Sequence, residues 1–128
     1  MENLKKVEWI LRIAVSGEFL GHGIFAIQGK AAWINWIEQL LNVDASVATQ
    51  LLLLIGIIDI GIAIFALVQP IRAILLWAAI WGFWTALLRP IMGDPIWDFV
   101  ERFANIGAPL ALLYVRGVPR SLKQWLKV

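Results

Sequence analysis

The sequence predicts an all-α membrane protein: a four-transmembrane-helix bundle with a short amphipathic interfacial helix between helices 1 and 2. Three observations carry this expectation. The 128-residue chain is 61% hydrophobic and only 16% charged, with a mean hydropathy of +0.79, where soluble domains run at about 45–50% apolar and about 25% charged. The apolar residues fall in blocks approaching the ~20 residues that cross a bilayer. Between the blocks lie polar segments and Pro/Gly turn chemistry.

The same figures exclude other classes. The length holds one compact unit. With no cysteine, the chain has no disulfide, no zinc–thiolate site and no thiol redox chemistry. A net charge of +2, with basic residues at the ends and loops, fits membrane orientation and argues against a nucleic-acid partner.

The first helix is expected over about residues 7–28. Lys5 and Lys6 followed by an apolar run resemble a signal peptide, but the run is long and broken by Arg12, Glu18 and His22, so it reads as a retained helix. Gly17 and Gly21 form a small-xxx-small pair that lets a neighbouring backbone approach. Residues 30–42 alternate with helical period, Trp33, Ile34, Ile37, Leu40 and Leu41 against Asn35, Glu38, Gln39 and Asn42. Too short and polar to span, they predict an interfacial helix anchored by Trp33 and Trp36. Asp44 or Ser46 is placed to cap the second span, about 47–68, which is nearly pure hydrocarbon around a single Asp59. Pro70 ends it. The third span, about 71–88, carries a stripe of Trp77, Trp81, Thr85 and Arg89, with Trp84 beside it, and Arg89-Pro90 is expected to close it. The fourth, about 98–115, has Glu101 and Asn105 one turn apart. Pro109 displaces the hydrogen bond to the Asn105 carbonyl.

Basic residues concentrate in the N-terminal flank, the Arg72 turn and the C-terminal tail, so both termini are expected on the cytoplasmic side of the inner membrane. On that topology His22, Arg89, Glu101 and Asn105 fall in the outer half, with Glu18 and Asp59 nearer the midplane. Glu18 and His22, about 40° apart on helix 1, share a face. Ionisable groups at bilayer depth are costly and mark candidate sites.

The four-helix plan, Arg12 at the entry to helix 1, Gly21-His22-Gly23, and the run ERFANIGAPLALL at 101–113 resemble the DoxX-like family of small membrane proteins. The resemblance implies a four-helix bundle and a relation to the membrane subunit of thiosulfate:quinone oxidoreductases. It also matches Arg12 and Glu101 to the family's recurrent intramembrane charges. Without cysteine, this chain brings no thiol to sulfur chemistry.

Each polar group carries a functional and a structural reading. Glu18 with His22 serves as a proton relay, a metal-ligand pair or a quinone-carbonyl partner, or else pins helix 1 to helix 4 through Arg89 or Asn105. Asp59 is a proton carrier, or a neutral acid in a helix-packing hydrogen bond. Arg89 binds an anionic group, neutralises Glu101, or snorkels to the interface. Trp77, Trp81 and Trp84 line an aromatic pocket, or belong to the interfacial belt. Segment 30–42 is a membrane-lying connector, or a lid over the polar cluster. Metal binding by Glu18, His22, Asp59 and Glu101, a hard N/O set, is the weaker alternative, because a second His and a Glu-x-x-His motif are absent.

The expected function is binding of a lipophilic ligand, with a quinone the leading cofactor candidate, in a polar intramembrane pocket that serves a redox or respiratory-type system. His22 or Arg89 then hydrogen-bonds a carbonyl, Glu18, Asp59 and Glu101 move protons, and the tryptophans stack the ring. No residue is assigned as catalytic. The alternative is a non-catalytic assembly subunit whose buried charges only specify helix packing. Transport of a small anion or proton is a third, weaker reading. A homodimer through the Gly17/Gly21 face, or another membrane subunit, is the expected protein partner.

Overall fold

The computed structural model describes residues 1–128, and all of its regular structure is helical. Seven helices follow in order: α1 Glu2–Ile27, α2 Ala31–Leu41, α3 Ala45–Val68, α4 Arg72–Ile91, α5 Ile96–Val100, α6 Phe103–Arg116 and α7 Leu122–Trp125. Of these, α1, α3 and α4 are long and apolar enough to cross a membrane.

Local chemistry accounts for most of the ends. The Asp44 carboxylate accepts from the Val47 backbone N–H at 2.9 Å and caps α3. A Schellman pair closes α1, with Lys30 N bonded to Phe25 O and Gly29 N to Ala26 O, and Gly29 at φ +74° supplies the left-handed residue. Pro90 does not stop α4 at Arg89. It sits in the last turn, where the missing N–H costs only a terminal hydrogen bond.

The helix expected over 98–115 is not continuous. A turn at Glu101–Arg102 divides it into α5 and α6. Arg102 folds back there, donating to the Glu101 carboxylate at 2.7 Å and, at 3.5 Å, to the Asp98 carbonyl in the middle of α5. This leaves α6 at 14 residues, about 21 Å long. The four-residue α7 is too short to announce itself by periodicity.

Around the bundle the packing order is α3, α1, α6, α4. The pairs α3–α1, α1–α6 and α6–α4 pack along their lengths, while α4 and α3, joined by the tight turn at Gln69–Ile71, barely touch beyond it. The packed core lies in the half nearest that turn: Val15 and Phe19 from α1, Ile62, Ala63 and Ala66 from α3, Leu75 and Ala78 from α4, and Leu112 and Leu113 from α6.

Glycines set the closest helix contacts, though not those expected. Gly17 and Gly21 face open space. Gly23 and Gly56 meet instead: a Cβ on Gly23 would lie 2.9 Å from Gly56 O, and a Cβ on Gly56 would lie 2.9 Å from Gly23 O. α1 and α3 therefore touch backbone to backbone.

Gly56→Leu should force α1 and α3 apart and lower stability by about 1–3 kcal/mol. Gly61→Ala, on the same helix but in open space, should leave stability essentially unchanged. Thermal unfolding in detergent distinguishes the two, and equal melting temperatures would refute the glycine contact.

Candidate functional site

The gap between α3 and α4 is a cavity of about 430 Å³, within the ~300–1,000 Å³ range of small-molecule sites. Its walls come from four helices. Leu52, Ile55 and Asp59 project from α3, and Trp81, Trp84, Thr85, Leu88 and Arg89 from α4. His22 of α1 forms the back. The α2 face made by Trp33, Trp36, Ile37, Leu40 and Leu41 lines a further side.

Most of this surface is apolar, and the polar groups on it are few and deliberate in placement. Asp59 is 3% exposed and Arg89 6% exposed. The chain reverses at Gln69–Ile71, so Asp59 stands opposite Trp81, and Arg89 lies eight residues further along α4, an axial offset of about 12 Å. Arg89 folds back to donate to the Thr85 carbonyl at 2.7 Å and lies 5.3 Å from the Trp36 ring centroid, a cation–π contact. The ring of His22 meets Trp33 edge-to-face at 5.7 Å, and the Lys30 ammonium lies 4.7 Å from the Trp33 ring centroid. Arg89, Arg102 and Lys30 all stand within electrostatic reach of His22.

Neither Asp59 nor Glu18 takes part in an ion pair; the protein's four salt bridges use Glu2, Glu8 and Glu101. Arg89 likewise has no carboxylate within 4.0 Å. The cavity thus presents a buried carboxyl and a buried guanidinium, neither in an ion pair within 4.0 Å. Uncompensated buried charges are expensive, and a bound polar group offsets that cost.

The structure brings His22, Asp59, Arg89, Trp81 and Trp84 onto one cavity. Glu18 is half-buried behind that wall, within reach of the Asp59 charge and beside Gly82, where a Cβ would meet Glu18 Oε1 at 3.7 Å. Asn105 is off the wall too. Its backbone carbonyl, freed by Pro109, faces Gly82 so closely that a Cβ there would lie 2.9 Å away. Trp77 stacks on Trp81 at 5.6 Å and 18° but is 45% exposed and points away from the cavity. Glu101 is exposed and pairs with Arg102 rather than Arg89. No three of the His, Asp and Glu side chains converge as metal ligands, so the set Glu18, His22, Asp59 and Glu101 is not assembled.

Of the readings of residues 30–42, connector or lid over the polar cluster, the structure sets the apolar face of α2 against the cavity, with Trp36 lying against Arg89. One feature was not read from the sequence, a polar network at the opposite end. Arg12 Nε donates to Leu67 O at 2.9 Å and Arg12 Nη2 to Val68 O at 3.0 Å, covering bare carbonyls at the C-terminus of α3. Arg72 does the same for α6, donating to Gly117 O at 2.8 Å and to the Arg116 carbonyl. Glu8 ties the network together, 3.6 Å from Arg12 and directly bonded to Arg116. Pro70 was the available signal, since it ends α3 with carbonyls that need donors.

Glu8→Ala should destabilise the protein by about 2 kcal/mol, less than the ~3–5 for breaking a fully buried pair because the Glu8 side chain retains 23% exposure. Glu101→Ala, whose side chain is 64% exposed, should stay within about 0.5 kcal/mol of the parent. Detergent unfolding midpoints check both, and the reverse order would show that the Glu8 network is dispensable.

Comparison with protein families, characterised proteins and solved structures finds no match to this chain.

Proposed function

We propose that this is a four-span membrane protein that binds a lipophilic molecule in the cavity between α3 and α4, with its polar head among His22, Asp59 and Arg89. The observation that carries the reading is the pairing of an apolar-walled cavity of about 430 Å³ with buried, unpaired polar groups on its wall. Apolar walls with a few convergent polar groups are the usual anatomy of a small-molecule site. Four tryptophans on the wall suit a flat ring, and a quinone is the leading candidate. Arg89 or His22 donates to a ring carbonyl, Asp59 exchanges a proton with it, and Trp81 and Trp84 flank the ring. The protein then serves a redox or respiratory-type system of the inner membrane, in keeping with its DoxX-like resemblance.

Three features support the membrane arrangement. The tight turn, the N-terminus and the C-terminal tail share one end of the bundle, tied by Arg72 to Lys127 and by Arg12 to Leu67. Eight of the eleven Lys and Arg residues lie in those segments, which marks that end as cytoplasmic. The fourth crossing combines α5, the Glu101–Arg102 turn and α6. The amphipathic α2 then lies at the outer interface.

A structural-subunit reading draws support from the Glu8–Arg12–Arg116 network, whose charges pair with one another and serve a helix end. A homodimer uses the exposed Gly17/Gly21 face. Under that reading the cavity binds nothing.

Half of the eight tryptophans line the cavity, so a short-chain benzoquinone titrated into detergent-solubilised protein should quench emission saturably. Arg89→Ala and His22→Ala should each weaken binding about 10- to 100-fold, the loss expected for a hydrogen bond involving a charged or strongly polar donor. Trp77→Phe, outside the cavity, should not. Unchanged affinity in both cavity variants would sink the proposal.

A further inference from the structure

We infer that the ligand of this cavity is polar at two separated points: it carries an acceptor oxygen for Arg89 and a hydrogen-bond donor for Asp59, with an apolar stretch between them. The inference rests on the cavity being a ligand site and goes further by naming the ligand's polar pattern.

Asp59 and Arg89 line one cavity, carry opposite charge and are both more than nine-tenths buried. Two such groups ordinarily close on each other, yet no ion pair joins them within 4.0 Å, and the cavity lies between. Their backbones are offset by about 12 Å along the bundle, and the side chains lean towards each other. Side chains in a helix tilt towards its N-terminus, so Arg89 tilts towards Thr85, as its hydrogen bond shows. Asp59 tilts towards the start of α3, which is the Arg89 end of the cavity. The lining between them, Leu52, Ile55 and Trp81 among it, offers hydrocarbon. Thr85 has no proton left for a ligand, because its hydroxyl already donates to Trp81 O at 2.9 Å, and its oxygen keeps only acceptor capacity.

A simple anionic amphiphile satisfies only Arg89 and lays its chain against the Asp59 carboxyl. A simple alcohol satisfies only one end as well. A molecule with an acceptor oxygen at one point and a hydroxyl or amine further along satisfies both, without exposing either buried group to hydrocarbon. Its class is an oxygenated lipid-like molecule: a hydroxylated fatty acid, or a ring bearing an acceptor oxygen on one side and a hydroxyl on the other.

The test uses a positional series in detergent-solubilised protein, read by tryptophan emission. Dodecanoates hydroxylated at carbon 6, 8 or 12 are compared with dodecanoate and dodecanol. One hydroxylated isomer should bind about tenfold more tightly than dodecanoate, the gain of one hydrogen bond to a charged group. That gain should vanish in Asp59→Ala. Asp59→Asn, which keeps the shape and fold, should reduce it. Arg89→Met should erase the advantage of dodecanoate over dodecanol. If no isomer surpasses dodecanoate, or if the gain survives in Asp59→Ala, the two-point inference is overturned, while quinone binding in the same protein preserves the single-site reading. If neither the acids nor the benzoquinone perturb the emission, both fail.

Discussion

Two backbone-to-backbone contacts shape this protein. Gly23 against Gly56 draws α3 onto α1, and Gly82 against the Asn105 carbonyl draws α4 onto α6. Both lie in the half of the bundle away from the Gln69–Ile71 turn. Each commits one member of the α3–α4 pair to a different neighbour, while the turn holds the pair together at one end. The cavity lies between the two helices. In the other half, alanines and Leu75, Leu112, Phe19 and Val15 pack into the core. One half is therefore packed for stability and the other left open, a division made by where the small residues sit.

The charged residues divide along the same axis. At the turn end, Glu8, Arg12, Arg72 and Arg116 are bound to each other and to carbonyls that α3 and α6 leave unpaired. Their charges are accounted for by structure. At the cavity end, Asp59, Arg89 and His22 face a space. Burial alone does not separate these groups, since Arg12 and Arg89 are both sheltered. What separates them is whether the protein itself supplies the partner.

The helical class, the positions of three long apolar helices and the amphipathic α2 were legible because they depend on local composition and period. His22, Asp59 and Arg89 stood out because an ionisable residue in a hydrocarbon run is conspicuous at one position. Their convergence followed from helix lengths counted back from the turns. Partner choice was not legible. Glu101 looked equivalent to Asp59 in the sequence, but the neighbouring Arg102 claims it. Gly17 and Gly21 had the spacing of a helix contact, yet Gly23 makes it, because the direction a glycine faces depends on which neighbour arrives. For α2 the apolar stripe and a lid over the polar cluster were both legible, but the choice between lid and connector rests on which neighbours the stripe meets.

The α2 segment carries a consequence of a different kind. None of its residues is buried, and it is bounded by left-handed residues, Gly29 at one end and Asn42 at the other. It lines one side of the cavity with aromatic edges and one cation–π contact, and contributes nothing to the packed half. Elements with few buried contacts open locally long before a fold unfolds. Opening of that wall is then a local event, while the long helices and their arginine-capped ends stay in place. On the reading proposed above, affinity belongs to the groups on α1, α3 and α4, and residence time to an eleven-residue helix.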